Sequence, residues 1–196
     1  GKPAMDAVVM HVGIHTQRHQ HIAIQSQVTF VILRFDQPVT AIQAVLQRYG
    51  GIDVLINNAG VTQISLFQDT PVSVLRRVME VNFFGAMYCA KAALESLIER
   101  KGMIIVISSI AGVAPLMGRT GYSASKHALH GFFESLRSEL LPHGVHVMMA
   151  CPGFTRTQLQ SRALHRAKNQ PRKEEDAVGK QANPEEVAGA IYRGAL

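Results

Sequence analysis

Two spacings of apolar residues alternate along the chain from residue 40 onward. Short runs are apolar at nearly every position, which is typical of strands that helices cover on both faces of a sheet. Longer stretches carry an apolar residue at every third or fourth position, which is the spacing of one helix face. The predicted strands are 52–56, 103–109 and 145–151. The predicted helices are 40–49, 71–100, 122–141 and one that opens at Asn183.

The order of these elements indicates the fold class. Strands alternate with helices, and such repeated units form a parallel sheet with right-handed crossovers. The 196 residues allow a single domain with a sizeable core, and no internal repeat is visible. We therefore predict an α/β domain over residues 40–196. Within it, Gly85 predicts an irregularity in the long helix 71–100.

The first 39 residues do not continue this pattern. β-Branched residues predict two strands, 7–12 and 28–33, and a polar stretch without apolar periodicity separates them. That stretch contains three histidines over residues 15–21, and imidazoles are common metal ligands. No carboxylate or cysteine joins them at the spacing of a metal site, so we predict a solvated loop and no metal. Residues 1–39 are an atypical N-terminal segment on this interpretation.

A tyrosine and a lysine lie one turn apart in the predicted helix 122–141. The separation of Tyr122 and Lys126 places the phenol and the ammonium on the same helix face. A cation there stabilises the phenolate, so we expect the pKa of Tyr122 to fall below its ordinary value of about 10. Ser109 lies thirteen residues before Tyr122, at the end of a predicted strand. Its hydroxyl is placed to orient a carbonyl that Tyr122 protonates.

Further motifs surround this pair in a defined order. They are Asn57-Asn58-Ala59-Gly60 after a strand, Asn82 forty residues before Tyr122, and Cys151-Pro152-Gly153 followed by Thr157. In these motifs the chain resembles the short-chain dehydrogenase/reductase family, over roughly residues 40–157. The resemblance implies a Rossmann-like, doubly wound parallel sheet. It also implies a nicotinamide-dependent oxidoreductase that acts on an alcohol/carbonyl pair.

The resemblance implies a role for each matching residue. Tyr122 would be the acid/base, and Lys126 would lower its pKa and bind the ribose. Ser109 would hold the carbonyl oxygen, and Asn82 would support a water-linked proton relay. The implied cofactor-binding residues are Asn58, Ala59, Gly60, Tyr122, Lys126, Pro152, Gly153 and Thr157.

Several of these positions have a structural alternative. Alternation along a strand turns Ser108 and Ser109 to opposite sides, and the family's thirteen-residue offset favours Ser109. Asn57, or the asparagine after it, can satisfy backbone groups where its strand ends. Thr157 can cap a helix. His130 lies on a neighbouring face of the tyrosine helix, which makes it a poor catalytic candidate.

Two parts of the family pattern have no counterpart in this sequence. The family opens with a glycine-rich turn whose backbone approaches the cofactor pyrophosphate, yet only Gly1 and Gly13 precede Gly50 here. We therefore expect the N-terminal glycine-rich βαβ unit and the last strand of the family fold to be absent from this sequence. The residue that selects between NAD and NADP belongs to that unit, so either cofactor fits the prediction. We expect the binding of both to be weakened.

Charge and cysteine content bear on partners and location. The net charge is +6, and basic residues crowd residues 156–173 just before an acidic run. No interleaved aromatics accompany them, so we predict a solvated flap over the substrate and no nucleic-acid partner. No apolar run is long enough to span a bilayer. Cys89 and Cys151 are interpreted as buried free thiols in a reducing compartment, and the predicted location is cytoplasmic.

Two hypotheses of different classes follow. The first is an oxidoreductase that transfers hydride between NAD or NADP and a small-molecule alcohol or carbonyl substrate. The alternative is a catalytically silent scaffold that acts by helix-mediated association. In either case helices 71–100 and 122–141 carry more apolar surface than one sheet covers, which predicts a homodimer or homotetramer.

Overall fold

A five-stranded sheet forms the centre of the molecule in the computed structural model, which describes residues 7–13, 27–33, 38–165 and 181–195. The strands are β1 (Ala7–Gly13), β2 (Gln27–Leu33), β3 (Val54–Asn57), β4 (Met103–Ile107) and β5 (His146–Ala150). They lie side by side in chain order, and β2 to β5 are parallel. β1 pairs with β2 in the antiparallel sense. The predicted parallel sheet and both N-terminal strands are confirmed, and no strand beyond β5 follows among the described residues.

Five helices flank this sheet within the described part of the chain. They are α1 (Pro38–Tyr49), α2 (Val72–Met79), α3 (Gly85–Arg100), α4 (Thr120–Leu140) and α5 (Pro184–Ala195). A five-residue π-helical turn, Glu80–Phe84, joins α2 to α3 without a break. The irregularity predicted near Gly85 is thus confirmed as a π turn that ends beside that glycine. None of the described helices combines the length and apolar character needed to cross a bilayer.

Helices cover both faces of the sheet. On one face α1, α3 and α4 share a core whose fully buried members include Ile42, Leu97 and Phe133. On the other face α5 approaches β5, where a Cβ added to Gly194 would lie 3.1 Å from the Met148 methyl carbon. Burying a side chain of leucine size stabilises the fold by roughly 1.5–3 kcal/mol, so the first face anchors the tyrosine-bearing helix α4 firmly. This arrangement confirms a doubly wound, Rossmann-like sheet.

The strand β4 is shorter than the sequence pattern predicts. Its ladder with β5 ends at the pair Ile107 and Ala150, and a last hydrogen bond runs from the Ser108 amide to the Ala150 carbonyl. The chain then turns at once into a short 3₁₀ turn, Ile110–Gly112. The prediction that Ser109 closes the strand was wrong, because the polar residues begin where the neighbouring strand offers no further partner. Ser109 therefore lies on the connection that follows β4.

Candidate active site

The carboxyl ends of three parallel strands bring the predicted residues to one edge of the sheet. Asn57 ends β3 and residues 58–60 follow it, Ser109 lies on the connection after β4, and residues 151–157 lie on the one after β5. The helix α4 places Tyr122 and Lys126 against this edge, and the π turn places Asn82 there. Ligands bind beyond the carboxyl ends of the strands in open α/β sheets, so this edge is the candidate site.

Lys126 is almost completely buried at this edge, with 4% of its surface exposed. Its Nζ atom donates to the Ile107 carbonyl oxygen at 2.7 Å. Burial lowers its pKa from 10.5 to about 8, and the nearby Cys151 thiol opposes that shift. An ammonium has three hydrogens to donate, and Ile107 accepts only one of them. The group thus retains capacity for a ligand.

Tyr122 lies one turn before Lys126 and is 8% exposed. Burial raises its pKa above 10.0, whereas a hydrogen bond with the Ser109 side chain and the charge of Arg119 lower it. The net direction is opposite to the one expected from the Tyr-x-x-x-Lys spacing. Two facts explain the difference: the ammonium is directed to the Ile107 carbonyl, and Nζ lies 5.7 Å from the centroid of the phenol ring. Desolvation of the phenolate then dominates.

The two serines after β4 have different partners, although both lie against α4. Ser108 is buried, and its hydroxyl lies 2.9 Å from Nε2 of His130. Ser109 caps the 3₁₀ turn by accepting a hydrogen bond from the Ala111 amide at 3.2 Å. The effect of Ser109 on the phenol of Tyr122 shows that this serine is the one beside the tyrosine. His130 serves as the partner of Ser108 and does not join the tyrosine.

Asn82 is 1% exposed, and its side-chain amide makes three hydrogen bonds within the protein. Its Oδ1 accepts from the Val61 amide at 2.8 Å, and its Nδ2 donates to the Val61 carbonyl at 3.0 Å and to Ser125 Oγ at 2.9 Å. Ser125 in turn donates to the Tyr122 carbonyl at 2.7 Å. Asn82 therefore connects the segment after β3, residues 58–71 between β3 and α2, to the backbone of Tyr122. π turns inside helices are frequent at functional sites, and this one carries that connection.

The residues after β3 divide into a structural and an exposed group. Asn57 is buried and donates to the Ala86 carbonyl at 3.4 Å, which is the structural role considered for it. Asn58 is exposed at the edge. A Cβ added to Gly60 would lie 3.6 Å from Asn82 Oδ1 and 3.8 Å from Lys126 Nζ. The backbone at Gly60 thus passes directly beside the buried ammonium.

The loop after β5 and the segment after β3 lie on either side of the end of β4. The Pro152 carbonyl accepts from the Ile110 amide at 3.2 Å, which ties this loop to the 3₁₀ turn after Ser109. A Cβ added to Gly153 would meet nothing within 4 Å, so space lies above that residue. Thr157 is exposed, and its hydroxyl accepts from the Leu159 amide at 3.4 Å. Thr157 thus begins a local turn, and among the described residues no helix starts there for it to cap.

The two cysteines differ from each other. Cys89 is buried in the core, and burial raises the pKa of its thiol to about 12. Cys151 is exposed at the end of β5, so the prediction of a buried thiol was wrong there. Its position just past the last paired residue of β5 explains the exposure.

Three residues that contact the tyrosine were not singled out from the sequence. Gln63 accepts from the Tyr122 amide, Ser125 donates to the Tyr122 carbonyl, and Arg119 influences the phenol. Ser125 lies inside the tyrosine motif, and its spacing of three residues on a helix was a usable signal. Gln63 is 59 residues away in sequence and gave no local signal.

The site fits the nicotinamide end of a dinucleotide. It offers a buried ammonium with remaining donors, the close backbone at Gly60 and open space above Gly153. The glycine-rich turn that would accept the pyrophosphate is absent from the sequence before Gly50. Of the basic segment, Arg156 and Arg162 are exposed. Residues 166–173 of that segment and the histidine stretch 15–21 lie outside the described residues. Among the residues that the structure describes, no group of three potential metal ligands occurs.

Comparison with known proteins agrees with this geometry. Residues 5–168 match the family model for short chain dehydrogenase. Dehydrogenase/reductase SDR family member 7B from Mus musculus is 43% identical over 149 residues, which cover 76% of this chain and 45% of that protein. The chain spans no more than about half the length of the curated relatives it matches.

Solved structures show the same likeness. A short-chain dehydrogenase from Streptomyces avermitilis superposes with a TM-score of 0.71 and 34% identity, covering 80% of this chain and 61% of that one. The acetoin dehydrogenase YohF from Salmonella typhimurium gives 0.67 and 28%, covering 83% and 65%. These similarities support an oxidoreductase in general.

Proposed function

The chain belongs to the short-chain dehydrogenase family, and we propose that it transfers hydride between NAD or NADP and a small-molecule alcohol or carbonyl substrate. One observation carries the proposal: Tyr122 and Lys126 are buried on successive turns of α4, and Ser109 lies beside the phenol. A buried phenol with a cation and a hydroxyl as neighbours is suited to proton transfer.

Each side chain has a distinct task in this proposal. Tyr122 donates its phenolic proton to the carbonyl oxygen during reduction and takes it back during oxidation. Ser109 donates a hydrogen bond to the same oxygen and orients it. Lys126 supplies positive charge beside the site and uses its remaining donors to bind the ribose. The nicotinamide, when bound, supplies or accepts the hydride.

Asn82 supports the proton relay by fixing geometry. Its side chain is engaged with Val61 and Ser125, so it does not itself carry the proton. Through Ser125 it fixes the carbonyl of Tyr122, and it lies close to Gly60 and Lys126. Support of a water-linked proton relay by Asn82, which the family resemblance implies, stays part of the proposal.

The remaining predicted residues would line the nicotinamide end of the cofactor. They are Asn58, Ala59, Gly60, Pro152, Gly153 and Thr157. The exposure of Asn58 and Thr157 and the open space at Gly153 support this assignment. The described structure contains no feature that favours NAD over NADP, so both belong to the proposal.

Assembly into a homodimer or homotetramer is part of the same proposal. The helices α2 and α3 expose Val72 at 63% and Tyr88 at 42%, which supports association through this surface. Sedimentation at micromolar concentration tests it, and a monomer would contradict it. A cytoplasmic location also stays a proposal.

Isotope transfer tests the activity directly. The chain is incubated with NADH or NADPH that carries deuterium at the transferable position, together with a panel of aldehydes and ketones. We expect deuterium at the carbinol carbon of one product class, detected by mass spectrometry. The Tyr122→Phe protein, purified in parallel, controls for contaminating reductases. Absence of label from every carbonyl with both cofactors would favour the silent scaffold.

A further inference from the structure

The first turn of α4 lacks an ordinary cap. The N-cap residue is Arg119, whose side chain makes no capping hydrogen bond. An arginine has only donors, and the exposed amides at a helix start need acceptors. Tyr122 occupies the third position of this helix, where a cap side chain normally accepts the amide hydrogen. The helix that carries the proposed acid/base therefore needs an acceptor from elsewhere in the fold.

Gln63 supplies that acceptor from the segment after β3. Its Oε1 accepts from the Tyr122 amide at 3.1 Å, and the residue is 0% exposed. The Tyr122 carbonyl is bound by Ser125, which Asn82 contacts. Both peptide groups that flank the Tyr122 side chain are thus fixed by side chains. The Tyr122 amide is bound directly by Gln63. The Tyr122 carbonyl is linked through Ser125 and Asn82 to Val61, so both contacts lead to the segment after β3.

Two further hydrogen bonds join the segment after β3 to the start of α4. Arg119 Nη1 donates to Thr62 Oγ1 at 2.7 Å, and the Ser65 amide donates to the Gly118 carbonyl at 3.1 Å. A Cβ added to Gly121 would lie 2.8 Å from a Leu75 methyl carbon, so the start of α4 packs directly against α2 and cannot move toward it. Gln63 thus lies at the centre of the contact between the segment after β3 and the start of α4.

We propose that Gln63 is a positioning residue that fixes Tyr122 by capping α4 from outside the helix. Its catalytic consequence rests on the proposed function, whereas its structural consequence does not. Loss of the acceptor leaves the Tyr122 amide unpaired and lets the first turn of α4 shift. Displacement of a reacting group by about 1 Å can lower a rate up to 10²-fold, so we expect kcat to fall roughly 10- to 100-fold in Gln63→Leu with KM little changed.

Fluorine NMR of protein labelled with fluorotyrosine reads the ring position without turnover. The Tyr122→Phe spectrum identifies the Tyr122 signal among the four tyrosines. In Gln63→Leu we expect that signal to move or broaden by more than its linewidth. The matched control is Thr70→Val, because Thr70 is also buried in the segment after β3 but bonds only within it, to Ser65 and Leu66.

A second variant keeps the test decisive if Gln63→Leu fails to fold. Gln63→Glu retains the shape and the acceptor, and a carboxylate at a helix N-terminus is favourable. Because either protonation state of this carboxyl keeps an acceptor oxygen for the Tyr122 amide, the Tyr122 signal should stay within its linewidth of the parent position.

The outcomes separate cleanly. A Tyr122 signal that is unchanged in Gln63→Leu, or displaced equally by Thr70→Val, would overturn the positioning role. A Tyr122 signal displaced by more than its linewidth in Gln63→Glu, which keeps the acceptor, would overturn it as well. A parent chain without any hydride transfer would refute the proposed function, and the NMR result would still decide the role of Gln63.

Discussion

The two ends of the sheet differ in how they relate to the chemistry. At the β3–β5 end, contacts between three connections and α4 place Tyr122 beside Ser109 and one turn from Lys126. At the β1–β2 end, an antiparallel pair forms the border of the sheet, and the sequence from Gly13 to Gly50 contains no other glycine. The candidate site at the β3–β5 end is therefore built without any contribution from a glycine-rich phosphate turn. The division at residue 39 stays a prediction, and the two ends can be tested separately.

Removal of one oxygen from the catalytic end should have the largest effect. Tyr122→Phe deletes the atom that transfers the proton, and general acid–base groups contribute about 10²–10⁴-fold. We expect kcat/KM to fall by that factor while the thermal midpoint stays near that of the parent. Tyr88→Phe, on the exposed face of α3, is the control and should retain activity. Full activity of Tyr122→Phe would remove the assignment of roles.

A measurement of cofactor affinity tests the difference between the β1–β2 end and the β3–β5 end of the sheet. Each missing charge-assisted hydrogen bond to phosphate costs roughly 1.5–3 kcal/mol, so the 196-residue chain should bind NAD or NADP orders of magnitude more weakly than a relative with the glycine turn. We further expect the dinucleotide to bind no more than about tenfold tighter than nicotinamide mononucleotide. Calorimetry measures both. Micromolar binding of the dinucleotide alone would show that the N-terminal segment builds a phosphate site.

The buried ammonium should leave a signature in the pH dependence of stability. The pKa of Lys126 is about 8 in the folded chain and near 10.5 when unfolded. Between these values the unfolded chain binds the extra proton, so this group makes folding more favourable as pH rises. The unfolding free energy of the parent should therefore increase relative to that of Lys126→Met, by roughly 2–3 kcal/mol from pH 7.5 to 10.5.

Urea denaturation across that pH range measures this difference. Lys91→Met, at an exposed position of α3, provides the matched control and should show no such gain. A constant difference between the parent and Lys126→Met would mean that the ammonium is better solvated than its 4% exposure indicates.

The smallest expected effect concerns Arg119. Its charge lowers the pKa of Tyr122, so Arg119→Gln should move the alkaline limb of the activity profile to higher pH. The pH dependence of kcat/KM for alcohol oxidation is the measurement. Arg76→Gln on the exposed side of α2 serves as the control. An unshifted limb would show that Arg119 serves only to anchor α4 through Thr62.

The sequence was sufficient where the signal was local. Apolar spacing predicted the strands and helices from residue 40 onward, and Gly85 indicated the irregularity that became a π turn. The motif residues meet at one sheet edge as expected, because parallel strands all end there. Their catalytic roles stay predictions.

Long-range contacts explain what the sequence left undetermined. The end of β4 depends on how far β5 extends beside it, and the pKa of Tyr122 depends on burial by segments distant in sequence. The cap from Gln63 spans 59 residues, and no spacing rule reports such a pair. The exposure of Cys151 likewise follows from the point at which strand pairing stops.

The π turn also sets the rotational phase between α2 and α3. It accommodates one residue more than an α-helix would, and one residue corresponds to about 100° of rotation. Deletion of a single residue from Glu80–Phe84 would restore regular winding and turn α2 against α3 by that angle. Val78, fully buried in this phase, would then leave its place beside α4, and Asn82 would lose Val61. The length of this turn is therefore under tighter constraint than the identity of its one exposed residue, Glu80.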